Sequence, residues 1–135
     1  MNTIDLLKEM GELGVKFKRS EIEPAIDYVS KMLSDKRVIY MTGENDERVI
    51  SFFSVCYNYE PFYKKKTWDY LPHFPEGNIV YVEKIVSTGW NRKMRELFEI
   101  EILKHHPKFE HAVWHRWAKW GDRKTLTVRR VKEHV

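Results

Sequence analysis

One acidic residue stands within an otherwise apolar stretch of the sequence. Glu83 lies in segment 78–86, whose β-branched and aromatic residues favour a strand. A carboxylate held half-buried in such a strand has a raised pKa and can act as a general base on an amine. The alternative is a structural ion pair between Glu83 and Lys84 or an arginine of a neighbouring strand.

A polar loop follows this strand and leads into a predicted helix. Its one glycine is Gly89, and Asn91 is a suitable N-cap because its side chain can accept a backbone N–H of the first turn. Helix N-termini attract anions, and hydroxyl and cationic side chains add to that attraction. The residues predicted to bind a pyrophosphate are Ser87, Thr88, Gly89, Asn91, Arg92 and Lys93. The alternative is an ordinary loop and a capped helix with solvated charges.

The histidines between residues 105 and 115 raise the question of a metal site. His105 and His106 are adjacent and point in different directions on a helix. His111 and His115 share a strand face but lie roughly 13 Å apart at about 3.3 Å per residue. One ion cannot bridge either pair, so no metal site is predicted. His115, beside Arg116 near the end of a strand, is instead the candidate proton carrier, with a structural histidine as the alternative.

A central β-α-β unit is predicted to position these residues. Strands over 78–86 and 110–117 flank a helix over 92–104, and Pro107 stops that helix. Such a crossover joins parallel strands, so the helix N-terminus lies beside the carboxyl end of the first strand.

Two helices and a hairpin are predicted before this unit. The first helix begins at Thr3 and ends near Gly14, and the second runs from a capping box at Ser20–Glu23 to about Ser34. The remaining elements are strands over 37–42 and 48–57, an irregular segment over 59–77, a turn over 119–123 and a last strand over 125–131. We expect the irregular segment to cover one mouth of the sheet, with a solvated connection whose aromatic residues fill a small additional core as the alternative. This order predicts an α+β fold with a mixed, mostly antiparallel sheet.

Composition sets the class of protein. A chain of 135 residues with 42% hydrophobic residues forms one domain, 1–135. It has no apolar run of membrane-spanning length, no export signal pattern and one cysteine, Cys56, which together predict a cytoplasmic protein.

Charge is distributed unevenly along the chain. Residues 1–83 hold 11 basic and 14 acidic side chains, a net −3, whereas residues 84–135 hold 13 and 6, a net +7. A basic half favours a phosphorylated ligand, a nucleic acid or an acidic protein partner. Trp114, Trp117 and Trp120, interleaved with basic residues, suit base stacking, with core aromatics beside a basic surface as the alternative.

This order of elements resembles the GNAT family of N-acetyltransferases, especially its short, divergent bacteriophage-encoded members. The family loop has the pattern Gln/Arg-x-x-Gly-x-Gly/Ala, and segment 86–92, with Gly89, occupies its place. The resemblance implies acetyl-coenzyme A or another acyl-coenzyme A as cofactor, with Ile85 and Val86 backbone groups lining its pantetheine arm. It implies acyl transfer to an amine of a small molecule or a protein, with Glu83 as base, in the host cytoplasm.

A looser similarity links the segment Val82-Glu83-Lys84-Ile85 to the acidic strand motif of toxin-activating lysine acyltransferases. Two other functions stay open. The fold can serve without catalysis as a binding or phage structural protein, or the basic C-terminal half can bind nucleic acid.

Overall fold

The computed structural model describes residues 1–63, 65–117 and 124–130, which form an α+β fold. The helices and strands are α1 (Thr3–Glu12), α2 (Ile22–Ser34), β1 (Val38–Thr42), β2 (Arg48–Cys56), β3 (Ile79–Ser87), α3 (Arg92–His105), β4 (His111–Trp117) and β5 (Lys124–Arg130). These bounds agree closely with the predicted elements. The predicted turn over 119–123 and Val131 lie outside the described residues.

The five described strands form one mixed sheet in the order β1-β2-β3-β4-β5. Only β3 and β4 run parallel to each other, and the other three neighbouring pairs are antiparallel. Helix α3 connects the two parallel strands, so the predicted β-α-β unit and the mostly antiparallel sheet are confirmed.

Both faces of the sheet are covered. Helix α3 packs on one face through Phe98 and Ile102, which contact apolar residues of β1 to β4. On the other face, α1 and α2 pack beside segment 57–78, which contributes Phe62 and Leu71. Strand β2 is buried on both faces, as its continuous apolar pattern predicts.

The start of α2 differs from the predicted capping box. Residues Arg19–Glu21 form a 3₁₀ turn, and no side chain caps α2. The carboxylate of Glu21 instead accepts a hydrogen bond from the indole of Trp68 at 2.9 Å. The predicted capping box was wrong because the 3₁₀ turn moves the N-cap position of α2 from Ser20 to Glu21.

Strand β3 contains one extra residue relative to β2. Phe52 is opposite Lys84, whereas Phe53 is opposite Val82, so Glu83 forms a β-bulge without a partner in the ladder. A bulge of this kind bends the strand and re-aims the side chains that follow it. Glu83 is therefore both the acidic residue of an apolar strand and the residue at its β-bulge.

The irregular segment 57–78 is anchored to β2 by a histidine. Nδ1 of His73 accepts a hydrogen bond from the backbone N–H of Val55 at 3.0 Å. Burial, the charge of Arg37 and the neighbouring His106 lower the pKa of His73 from 6.5 to about 4. His73 is therefore neutral in the folded protein at neutral pH.

This histidine is expected to make stability depend on pH. Between about pH 6.5 and 4 the unfolded chain binds a proton that folded His73 does not, so stability falls as the pH is lowered. The full effect is at most about 3 kcal/mol at 1.36 kcal/mol per pKa unit, because solvent screens part of the charge on the half-buried ring. Urea unfolding at several pH values measures it. His73→Asn keeps a hydrogen-bond acceptor but cannot titrate, so an identical pH slope in that variant would contradict the assignment.

Candidate functional site

The parallel strands β3 and β4 separate shortly after they begin to pair. Their register covers only Ile79–His111, Val80–Ala112 and Tyr81–Val113. Beyond Tyr81, a cavity of about 540 Å³ lies between β3, β4 and the start of α3. The gap opens beside the helix N-terminus, where an anion is favoured.

The cavity is lined by several cations. Arg92 and Arg95 reach it from the first turn of α3, and Arg129 reaches it from β5, where it forms an ion pair with the buried Glu99. Burial and the charge of Arg95 lower the pKa of Arg129 below its ordinary value, although an arginine stays protonated. The buried Nε of Arg95 has no hydrogen-bond partner within the described chain. The lining therefore offers positive charge and an unused donor.

The cavity brings together half of the residues that the sequence singled out. Its lining includes Glu83, Ile85, Asn91, Arg92 and His115. It does not include Val86, Ser87, Thr88, Gly89 or Lys93. The side chain of Val86 is buried on the opposite face, against the core of α1 and α2.

The loop before α3 is engaged with β2. Ser87 is paired with Val49, and the N–H of Thr88 donates to the carbonyl of Arg48 at 3.1 Å. The hydroxyl of Thr88 accepts the N–H of Arg48 at 3.0 Å. The amide and hydroxyl of Thr88 thus extend the sheet and do not face the cavity, contrary to the predicted phosphate loop.

Carboxylates occupy the outer side of the same loop. Gly89 lies against Glu47, and a Cβ at this position would come within 3.3 Å of Glu47 Cγ. Lys93 forms an ion pair with Glu44. The small size of Gly89 therefore allows contact with the β1–β2 turn, and the negative charges there disfavour an anion. The positive charge available to an anion is instead that of the arginines that line the cavity between β3 and β4.

The helix cap is as predicted. The side chain of Asn91 accepts the N–H of Met94 at 2.9 Å, which fixes the start of α3. Arg92 and Arg95 are one helical turn apart, so both can reach the cavity. That spacing was the available sequence signal for Arg95, whereas Arg129 is brought in by strand pairing alone.

Glu83 lies at the centre of a buried polar cluster. Its side chain is 0% exposed and forms an ion pair with Arg37, also 0% exposed, at 3.0 Å. Ser54 and Tyr28 donate hydrogen bonds to the two carboxylate oxygens at 2.5 and 2.9 Å. The ammonium of Lys65 lies 3.5 Å away. The expected half-buried carboxylate is therefore a fully buried and fully partnered one.

Arg37 is the main partner of Glu83 in this cluster, and the sequence did not reveal it. It precedes β1, and its guanidinium also donates to the carbonyls of Phe53 at 2.9 Å and Leu71 at 3.1 Å. The predicted alternative for Glu83, an ion pair, is observed, but its arginine precedes β1, which is not beside β3, and the pair is buried. Ser54 was the only available signal, because a hydroxyl in a strand buried on both faces requires a polar partner.

A second pair of polar groups lies where β3 and β4 part. Tyr81 is the last residue of β3 that pairs with β4. Its hydroxyl is 2.5 Å from Nδ1 of His115 on β4. The Tyr81 ring stacks on Phe62 with 4.3 Å between centroids. Burial, and then the charge of Glu83, raises the pKa of Tyr81, so its phenol stays protonated.

The opening reaches both faces of the sheet. A smaller cavity of about 150 Å³ lies on the side of segment 65–67 and is lined by Tyr81, Glu83 and His115, among others. Glu83 and His115 line both cavities. A ligand on one face and a second molecule on the other can therefore both approach His115, whereas the Glu83 side chain is fully buried between them.

Other functional classes were compared with the described part of the chain. It contains no cluster of three or more metal-ligating side chains. None of its helices combines the length and apolar character required to cross a bilayer. Among the aromatic and basic residues considered for nucleic-acid binding, Trp114 lines the cavity and packs on the core, whereas Lys119, Trp120 and Arg123 lie outside the described residues. No protein-family model, curated protein or solved structure matches this chain.

Proposed function

We propose that this protein is a divergent GNAT-like acyltransferase that transfers an acyl group from acyl-coenzyme A to an amine. The observation that supports this function most directly is the separation of β3 from β4 after Tyr81 and Val113, beside the N-terminus of α3. A gap between two parallel strands offers peptide groups along its walls, and the amide-containing pantetheine arm can hydrogen-bond to such groups.

The cationic lining suits the phosphates of the coenzyme. Arg92 and Arg95 would hold the pyrophosphate at the helix N-terminus, with Arg129 adding charge from the far wall. The unused Nε donor of Arg95 is consistent with a bound anion. When bound, the coenzyme supplies a thioester, which is an activated acyl donor. Ile85 lies on the cavity side of β3 and would contact the arm.

Tyr81 and His115 would carry the proton in this reaction. With its Nδ1 protonated, His115 donates to Tyr81 Oη, and its Nε2 accepts the proton that the amine loses. The Tyr81 hydroxyl hydrogen is free to protonate the departing thiolate. Transfer of the Nδ1 proton to Oη then restores the phenol, so one proton passes from the amine to the thiol.

Glu83 takes a positioning role in this proposal, in place of the base role expected from the sequence. Its carboxylate is surrounded by Arg37, Tyr28, Ser54 and Lys65, so accepting a proton would require loss of an ion pair. The bulge at Glu83 re-aims the second half of β3, which forms one wall of the cavity.

Thermal unfolding with acetyl-coenzyme A tests the binding step. Saturating ligand should stabilise the protein by about 2.7 kcal/mol at 100 times the dissociation constant. Arg95→Gln should weaken binding by roughly tenfold or more, because a charged hydrogen bond contributes about 1.5–3 kcal/mol. Lys93→Gln is the matched control, since it removes the same charge from the same helical turn but outside the cavity.

The outcomes separate the alternative functions. Equal losses in the two variants would show a non-specific charge effect, and no stabilisation at millimolar acetyl-coenzyme A would contradict the proposed cofactor. Stabilisation without thiol release in the presence of amines would indicate a binding protein that retains the fold. A shift caused by short DNA or RNA that disappears at higher salt would favour nucleic-acid binding.

A further inference from the structure

Strand β1 is an edge of the sheet formed by the described strands. Two backbone hydrogen bonds define its orientation: Phe53 N–H donates to the Arg37 carbonyl at 3.1 Å, and Gly43 N–H donates to the Glu47 carbonyl at 2.7 Å. Hydrogen-bonded positions alternate along an antiparallel pair. The backbone N–H and C=O groups of residues 37, 39, 41 and 43 therefore point toward β2. The N–H and C=O groups of Val38, Tyr40 and Thr42 therefore point away from the sheet.

A large groove runs along this edge. It has a volume of about 890 Å³ and lies between β1 and the C-terminal half of α3. Ile39, Phe53 and Ile102 are among the apolar residues that line it. Tyr40, at the centre of the strand, is 44% exposed. The groove is separate from the cavity between β3 and β4.

Edge strands of monomeric proteins usually carry a device that prevents pairing, such as an inward charge, a proline or a bulge. Strand β1 has the sequence Val-Ile-Tyr-Met-Thr, with none of these charges or prolines, and its register with β2 is regular. Its outer hydrogen-bonding groups are therefore available to another strand.

We propose that this edge binds a second copy of the same chain, with the two β1 strands antiparallel about a two-fold axis through Tyr40. In this register Tyr40 faces Tyr40 of the other copy, and Val38 faces Thr42. All three outward residues then form hydrogen-bonded pairs, which gives about six backbone hydrogen bonds. An isologous interface of this kind is self-complementary and closes as a dimer.

The side chains are compatible with the same register. Ile39 faces Met41 of the other copy, so the cross-strand pairs are apolar, aromatic or β-branched, and such pairs stabilise sheets. Lys36 lies two residues before the strand and the exposed Glu44 two residues after it, so each end of the interface brings a lysine of one copy near Glu44 of the other, which also pairs with Lys93 of its own copy. This charge complementarity favours a second copy over an unrelated strand.

Cross-linking tests the register directly. Facing Cα atoms of a hydrogen-bonded pair are about 5.5 Å apart, which lies within the range of a disulfide. Tyr40→Cys should therefore give a disulfide-linked dimer under mild oxidation. Thr42→Cys is the matched control, because its thiol would face Val38 of the other copy and should not cross-link. Cys56 is buried and does not compete.

Solution mass tests the dimer without new cysteines. Light scattering coupled to size exclusion should give twice the chain mass of 16.4 kDa. Tyr40→Lys should restore the monomer, because two lysines would face each other at the axis, whereas an edge lysine is well tolerated in a monomer. Tyr40→Val should remain dimeric. Circular dichroism confirms that each variant is folded.

Three results would overturn this inference. They are a monomeric mass at all concentrations up to about 100 μM, equal cross-linking of the Tyr40→Cys and Thr42→Cys variants, and an unchanged dimer in the Tyr40→Lys variant. A monomer that is stabilised by an added extended peptide would show that the edge recognises a different partner. None of these outcomes depends on binding of coenzyme A.

Discussion

Replacing Arg37 with methionine is expected to lower the free energy of unfolding by about 3–5 kcal/mol, the usual cost of removing one partner of a buried ion pair. The substitution leaves the Glu83 carboxylate buried with Lys65 at 3.5 Å as its remaining cation. It also removes the donors to the carbonyls of Phe53 and Leu71. Urea unfolding monitored by tryptophan fluorescence gives the change.

A double-mutant cycle separates the ion pair from the packing of the long side chain. Glu83→Gln keeps the shape of the side chain but removes its charge, which leaves Arg37 without a buried counter-charge. The double variant should lose less than the sum of the two single losses, by at least about 1 kcal/mol, because the residues are in direct contact. Strictly additive losses would show that the two charges do not stabilise each other in the folded protein.

Replacing Tyr81 with phenylalanine is expected to reduce turnover by roughly 10²–10⁴-fold, the usual contribution of a general acid or base. Phenylalanine keeps the ring that stacks on Phe62, so the fold and the cavity should be retained. His115→Gln should produce a loss of similar size, because one proton passes through both groups in the proposed reaction. The measurement is release of free thiol from acetyl-coenzyme A in the presence of a primary amine such as butylamine.

Two readouts distinguish a chemical role from a structural one. Affinity for acetyl-coenzyme A should stay within a few fold of the wild-type value in both variants. The double variant should be about as slow as either single variant, because groups that act as a unit are not additive. Unchanged turnover in Tyr81→Phe would remove the tyrosine from the proton route, and additive losses would contradict a shared route.

The elements of this fold could be predicted because local patterns determine them. The cap at Asn91, the helix formers after it and Pro107 define α3, and the continuous apolar run of β2 indicates a strand covered on both sides. The 3₁₀ turn at Arg19–Glu21 was missed, as was the hydrogen bond from Trp68, 47 residues away, to Glu21. No local pattern reports such a contact.

The site was predicted less completely, for the same physical reason. Glu83 and His115 attract attention by their types, but their partners Arg37 and Tyr81 are defined by packing across the sheet. Gly89 suggests a phosphate loop, whereas the neighbouring β1–β2 turn places Glu47 against it. A glycine by itself does not specify which neighbour approaches its backbone.

The additional residue in β3 has a consequence for how relatives of this protein would be compared by sequence. On the N-terminal side of the bulge, even-numbered residues such as Val82 pack toward α3, whereas beyond it the odd-numbered Ile85 lines the α3 side and Val86 packs toward α1 and α2. A homologue that lacks the extra residue would form a regular strand, and the residues equivalent to Val82 and Ile85 would still lie on the α3 side, two positions apart. An alignment without a gap at this position would therefore exchange inside for outside over the rest of the strand.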